Sequence, residues 1–423
     1  MNAFGAAFVA ALALATATRL WLGWRHVRHV CAHRDRVPPE FAGAIELEAH
    51  RRAADYTCAR TRLAMAATAL EVPLVLALTF GGGLEGLARW AAAWFAEGIP
   101  RGLALLVLAG AIATLFELPF GLYRTFGIEA RFGFNRTTPG LYLLDLGKSI
   151  ALSLAFGLPL GAAVLWLMGA AGPYWWVWAW ALWVAFNLFV LAIYPTWIAP
   201  LFNRFSPLED EELRRRVERL LERCGFQAKG LLVMDGSRRS THGNAYFTGF
   251  GSAKRIVFFD TLLARLSPAE VEAVLAHELG HFRLHHVAKR IVLGAAASLV
   301  LLALLGYLSE RSWFYEGLGV RSASPAMALI LFVIVVPPFT FLLQPLAAMY
   351  SRRHEFEADR YAAAHASARE LASALVKLYR DNAATLTPDP LHSAFYDSHP
   401  PAAVRIARLQ QAQAAAGALR SAA

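Results

Sequence analysis

The chain has 423 residues, 57% of them hydrophobic and only 17% charged, with a mean hydropathy of +0.41. About a quarter of an ordinary soluble domain is charged, so this composition excludes a disordered or collagen-like chain and disfavours a soluble enzyme. The net charge of +10 is carried mostly by arginine; in a chain this apolar it reads as loops lying against anionic lipid, with no nucleic-acid partner expected.

About twenty apolar residues cross a bilayer as a helix, and seven stretches approach that length. They are Ala3 to Leu22, Leu63 to Phe80, Leu103 to Phe120, Ser149 to Ala171, Tyr174 to Tyr194, Ile291 to Leu308 and Ala326 to Leu346. The first runs into Arg19, Trp21 and Trp24, which suit an interfacial anchor; it reads as a retained span, with a cleaved signal as the alternative. The connection from Arg25 to Arg62 is dense in arginine, whereas those around Arg89 and around Arg311 and Arg321 are sparse. By the positive-inside rule the N-terminus is then outside and the long connection after the fifth span is cytoplasmic. Together with the Ala- and Arg-rich composition, this makes a bacterial inner membrane the expected location. Spans two and three each carry a glutamate two residues before a proline, Glu71 with Pro73 and Glu117 with Pro119. Each carboxylate either faces a polar interior or snorkels to water from a span end.

Only the connection from Ile198 to Arg290 and the tail from Met349 have the chemistry of a soluble domain. The expected division is therefore residues 1–197 for five spans, 198–290 for a catalytic loop, 291–348 for two more spans and 349–423 for the rest of the catalytic part. Glu209 to Cys224 repeats apolar positions at helical spacing, and Leu231 to Met234 and Arg255 to Phe259 read as strands. The fold class is thus mainly α, a polytopic membrane protein carrying a small α+β domain. Cys31, Cys58 and Cys224 are scattered and odd in number, offering neither a disulfide framework nor a cysteine metal site.

Residues 277 to 281 read His-Glu-Leu-Gly-His. Positions four apart share a helix face, so His277 and His281 can direct imidazoles to one metal while Glu278 reaches a water there; zinc is the expected occupant. Ser267-Pro268-Ala269-Glu270 is a capping box, which sets the motif inside a helix. A catalytic zinc needs a third protein ligand and an open position. After the last span, Glu355 and Asp359 stand one helical turn apart, so one can ligate while the other orients a ligand histidine.

These residues resemble the type I CaaX prenyl protease family of integral-membrane zinc endopeptidases. The resemblance extends to Thr125–Asn135, Tyr194–Asn203, Ser240–Gly249 and Ser398-His399-Pro400-Pro401 with Arg405. It implies seven membrane helices around a chamber, capped by a metalloprotease domain with a small β-sheet edge. One Zn2+ per chain would be held by His277, His281 and Glu355, with Glu278 as general base, Asp359 behind the ligands and His399 stabilising the oxyanion. Asn244 would hold substrate backbone beside an edge strand, with Tyr246, His242 and Arg405 also at the substrate; His286 matches a family position too. Gly127 departs from the pattern, which usually has a bulkier residue there. The implied activity is peptide hydrolysis near the C-terminus of membrane-anchored or lipidated polypeptides, with peptide and membrane lipid as partners. The alternatives are a membrane-protein quality-control protease with the same zinc site, or a channel or transporter with structural zinc.

Overall fold

The computed structural model describes residues 2–226, 230–248 and 255–421. Among them, seven helices are long and apolar enough to cross a membrane. Helix α1 (Ala3–Ala32) opens on Asn2, whose side-chain oxygen accepts from the Gly5 N–H at 3.0 Å, and it packs against α2 (Leu47–Leu78). Both run well past their apolar stretches. The arginine-dense segment from 25 to 62, read from sequence as a connection, is helical apart from a link at residues 33–46 that holds one 3-10 turn. Arginine and alanine are good helix formers, and Arg34 ties the two helices together through a 2.8 Å contact with Asp55. In the same region the Cys31 and Cys58 thiols lie 3.3 Å apart, both free.

A short helix α3 (Gly83–Trp94) leads to α4 (Ile99–Leu122), α5 (Pro139–Ala170) and α6 (Trp175–Ile193). Helices α4 and α6 continue into π-helical turns, Tyr123–Glu129 and Tyr194–Ile198, and the second leads into α7 (Ala199–Phe202). Such turns are rare and concentrate at functional sites. Gly127 sits in the first of them, where a Cβ would lie 3.0 Å from the Tyr123 ring. The departure from a bulkier residue thus has a local steric reason.

The soluble part begins with β1 (Phe205–Pro207), α8 (Glu211–Arg223), β2 (Gly230–Met234), β3 (Ala245–Thr248) and β4 (Arg255–Phe259). These make a four-stranded sheet in the order β1-β2-β4-β3, with β2 and β4 parallel and β3 antiparallel on the far side of β4. The sequence reading anticipated α8, β2 and β4. It missed β1 and gave β3 only as an edge strand beside Asn244, without bounds; the two are three and four residues long, too short for alternation to register. Short α9 (Asp260–Leu263) precedes α10 (Pro268–Arg283), and α11 (His286–Ser309) returns to the membrane. After α12 (Ser312–Gly317), α13 (Pro325–Thr340) and a 3-10 turn run into α14 (Gln344–His365). Residues on both sides of position 348 therefore belong to one helix, and the helix bearing Glu355 prolongs the seventh span. Helices α15 (Ala368–Asp381), α16 (Pro390–Tyr396) and α17 (Ala402–Ser421) complete the chain.

The two largest hydrophobic cores are separate. One joins Phe8, Leu105, Leu165, Leu305 and Leu331 from the membrane helices. The other joins Val217 and Leu220 of α8, Ile256 and Phe258 of β4, Leu275 of α10 and Leu371 of α15. Between the membrane helices lies a cavity of about 490 Å3 lined by Arg19, Glu71 and Glu117 among apolar neighbours. Arg19 Nη1 stands 3.5 Å from Glu71 Oε2. Both intramembrane carboxylates thus face the interior. Arg19 also lines a second cavity of about 850 Å3, together with Tyr56, His242, Gln344 and Asn382, which reaches toward the soluble part.

Candidate metal centre

Helix α10 starts as its sequence dictates. The Ser267 side chain accepts from the Glu270 N–H, and Glu270 Oε2 accepts from the Ser267 N–H at 2.7 Å. The buried Glu270 carboxylate also accepts from Ser373 Oγ and Lys377 Nζ, each at 2.7 Å. Burial pushes this carboxyl up, but the Lys377 ammonium and the other hydrogen bonds outweigh it and hold it below its ordinary value. The cap residue is thereby also a cross-link to α15, and it fixes α10 about its own axis. Gly280, inside the motif, lets α10 lie on α14: a Cβ there would stand 3.0 Å from Ala358 Cα.

That close approach brings the two halves of the site together. His277 Nε2 lies 3.2 Å from His281 Nε2 and 3.5 Å from Glu355 Oε2, and His281 Nε2 lies 3.3 Å from Glu355 Oε1. A tetrahedral site with bonds of about 2.0–2.1 Å has ligand-to-ligand edges of about 3.3–3.4 Å, so the three residues are spaced as such a site requires. Glu355 Oε2 is buried without a hydrogen-bond partner; the nearest fixed cation, Arg405 Nη1, stands 3.7 Å away, beyond hydrogen-bond reach, and a buried carboxylate oxygen left so is costly. Burial opposes a charge on His277, yet the facing Asp359 and Glu355 carboxylates outweigh it and raise the imidazole to about 9. Carboxylates that attract a proton this strongly attract a divalent cation at the same lone pairs. The donor set, two imidazoles and a carboxylate, fits zinc.

Each ligand histidine has a different support. His277 Nδ1 contacts Asp359 Oδ1 at 2.9 Å, and Asp359 in turn accepts from Arg405 Nε at 2.9 Å and Arg405 Nη2 at 2.6 Å. Arg405, expected at the substrate, is buried with its guanidinium committed to Asp359. His281 Nδ1 instead meets His286 Nδ1 at 2.9 Å, and His286 Nε2 meets Glu357 Oε2 at 3.0 Å. His285 makes this possible by taking a left-handed backbone, φ 57°, which turns the chain between α10 and α11. His286, His354 and Glu357 also form a compact trio. The two rings stack at 4.0 Å and 8°, however, so their in-plane lone pairs run parallel and cannot converge on one ion. The trio is a hydrogen-bonding support. Nothing in the sequence singled out Glu357, because an Arg353–Glu357 pair one turn apart looks like any solvated helix face.

Glu278 is half-buried and makes no hydrogen bond or ion pair among the described residues, which leaves its carboxylate available. His399 Nε2 stands 3.4 Å from Glu355 Oε2 with 61% of its side chain exposed, and its Nδ1 lies 3.0 Å from Ser398 Oγ. Asn244 is exposed at the start of edge strand β3, its Oδ1 accepting from the Ala245 N–H at 2.8 Å. Tyr246 packs edge-on against Phe259, and burial pushes its hydroxyl up to about 12. His242 stacks on Phe134, contacts Glu129 Oε2 at 3.5 Å and lines the 850 Å3 cavity. Its neighbourhood joins the singled-out segments: Asn135 bridges Ser240, and Arg239 donates to Asp145 and Asn203. Gly249, which ends one of those segments, lies outside the described residues.

Residues 26–204 match the family described as CAAX prenyl protease N-terminal, five membrane helices, and residues 207–413 match peptidase family M48. A protein of Oryza sativa subsp. japonica named CAAX prenyl protease 1 homolog is 40% identical over 313 residues, covering 73% of each chain. The human protein of that name is 33% identical over 351 residues, 74% of each chain. The Saccharomyces cerevisiae CAAX prenyl protease 1 is 33% identical over 329 residues, 74% of this chain and 72% of its own. Among solved structures, the crystal structure of S. mikatae Ste24p superposes with a TM-score of 0.90 at 28% identity, covering 97% of this chain and 99% of that one.

Proposed function

From the premise that this chain belongs to the type I CaaX prenyl protease family and is a multi-pass membrane metallopeptidase, we propose that it cuts membrane-anchored or prenylated polypeptides near their C-terminus, using one zinc ion per chain. The observation that carries the site assignment is the His277, His281 and Glu355 cluster with its 3.2 to 3.5 Å edges. In this reading His277 and His281 of α10 and Glu355 of α14 hold the metal. Asp359 with Arg405 positions His277, and His286 with Glu357 positions His281. The two largest cores favour a membrane part, residues 1–197 and 291–348, and a catalytic part, residues 198–290 and 349–423, although smaller clusters pack Phe41, Ile45, Tyr56 and Phe134 of the first part against Ala383, Leu386 and Ile406 of the second. The arginine-rich ends of α1 and α2 favour a catalytic part facing the cytoplasm of a bacterial inner membrane.

When bound, the zinc supplies Lewis acidity toward a scissile carbonyl and lowers the pKa of a water. Glu278, next to a ligand on α10, takes the proton of the attacking water at its free carboxylate and delivers it to the leaving amine nitrogen. His399 donates from Nε2 to the developing oxyanion, with Ser398 holding the ring through Nδ1. The substrate lies extended along the open edge of β3, paired through backbone hydrogen bonds, and the Asn244 amide aligns it. Tyr246 borders that path. His242 binds on the cavity side, where the carbonyl region of the substrate would pass from the membrane interior into the site.

Mass spectrometry of paired farnesylated and unmodified CaaX peptides tests this, with wild type beside Glu278→Gln. The expected result is cleavage of the lipidated peptide by wild type, and full metal content without cleavage in Glu278→Gln. Normal turnover by Glu278→Gln would sink the mechanism. Equal cleavage of both peptides would remove the prenyl preference and favour a general membrane-protein protease.

A further inference from the structure

The outer face of α14 carries a feature that peptide hydrolysis does not use. Leu346, Met349, Arg353, Phe356 and Arg360 follow at alternating intervals of three and four, so they form one stripe along the helix. The apolar end is open, with Leu346 59% and Met349 58% exposed. The other end enters a cleft of about 460 Å3 whose walls include Arg352, Arg353, Phe356, Arg360 and Arg408, against a single carboxylate, Glu357. Arg352 is committed, donating to the Asp397 carbonyl at 2.9 Å and to those of Ser393 and Ala394. Arg353 holds Glu357 at 3.1 Å. Arg408 lies over the Phe356 ring at 3.7 Å, and neither it nor Arg360 has a carboxylate partner among the described residues. On α8, Arg214, Arg216 and Arg223 are matched by Glu211, Glu212 and Glu272, whereas Arg215 and Arg219 have no carboxylate partner among the described residues.

The cleft also has a defined height. The apolar run that begins at Pro325 ends at Tyr350, and arginines follow at once. That run exceeds the about twenty residues that cross the hydrocarbon upright, so it tilts or kinks to fit, and its charged end at Arg352 and Arg353 stands at the level of lipid headgroups. At 100° per residue, Leu346 and Met349 lie roughly opposite Gln344, which lines the internal cavity. Arg353 and Arg360 lie roughly opposite Glu355 by the same rotation. The stripe therefore faces away from the chamber and from the metal cluster.

We propose that this face binds one anionic phospholipid, its acyl chain along Leu346 and Met349 and its phosphodiester between Arg360 and Arg408. Guanidinium forks suit phosphate oxygens, and a basic pocket beside membrane helices suits a charged headgroup. The occupant is structural lipid on the outer wall, not substrate.

Native mass spectrometry of the full chain in neutral detergent, titrated with phosphatidylglycerol or phosphatidylcholine, tests the site. Wild type should retain one phosphatidylglycerol in preference, and Arg360→Gln/Arg408→Gln should bind it roughly thirtyfold more weakly. Arg214→Gln/Arg216→Gln on α8 should bind as wild type does, and unchanged peptidase activity in the Arg360→Gln/Arg408→Gln protein would show that it is folded. Equal retention of the two lipids by wild type, or undiminished phosphatidylglycerol binding by Arg360→Gln/Arg408→Gln, overturns the proposal. Displacement of the lipid by equimolar inorganic phosphate also overturns it, because the cleft would then take the phosphate without the chain.

Discussion

The two sides of the metal cluster are built on opposite principles. On the side away from substrate, His277, Glu355 and Asp359 are only 6%, 2% and 4% exposed, and a buried arginine closes the network. On the side proposed to meet substrate, His399 and Asn244 stand open, each hydrogen-bonded to a neighbour in sequence and to little else. A metal site needs rigid ligands with saturated support, whereas groups that meet an extended peptide must be reachable. Metal retention and catalysis should therefore separate by mutation.

The largest expected effect is at Asp359. Asp359→Ala leaves the buried Arg405 cation with only the Glu355 carboxylate, 3.7 Å away, in place of two short hydrogen bonds, which costs about 3 kcal/mol of stability and removes the acceptor that orients His277. Thermal unfolding in detergent and metal content should both fall. Adding Arg405→Met should recover much of the stability but not the metal affinity, because the orienting carboxylate is still missing. Recovery of both would mean that Asp359 serves only to neutralise the arginine. Next is His399→Ala, for which kcat should drop about a hundredfold to a thousandfold while metal content stays at the wild-type level. Loss of metal instead would move His399 to the buried side of the comparison. The smallest effect is expected at His286, which supports its ligand without a full charge. His286→Ala should weaken metal binding about tenfold to a hundredfold in competition with a chromophoric chelator, with little change in unfolding temperature beyond its lost packing.

Much of this was legible before any coordinates. Hydropathy alone locates seven spans because lipid permits only helices that satisfy their own backbone; the helices observed contain five of those stretches whole, while the second and fourth stretches overrun their helices at Leu78 and Ala170. The Ser267–Glu270 capping box marks a helix start through local hydrogen bonds, and the His-Glu-Leu-Gly-His spacing converts directly into a shared face. The extent of α1 and α2 was less legible: arginine-rich segments read as loops by hydropathy, yet they continue as helix because arginine is compatible with it. Strand β1 and the bounds of β3 escaped because each strand is stabilised by its neighbour in the sheet and not by its own pattern.

The sequence by itself therefore determined whatever depends on neighbours along the chain: membrane helices, the α10 cap, the pair of histidines on one face and the carboxylates one turn apart on another. Only the tertiary structure decided what depends on elements meeting. It placed Gly280 where α10 touches α14 and so set Glu355 against both histidines. It turned Arg405 inward to Asp359 and reached His286 back to His281 through the left-handed His285. It also left Arg360 and Arg408 facing outward without carboxylate partners among the described residues. These contacts join residues up to 78 positions apart, as Glu355 with His277, and a one-dimensional pattern carries no distance between such residues until packing supplies it.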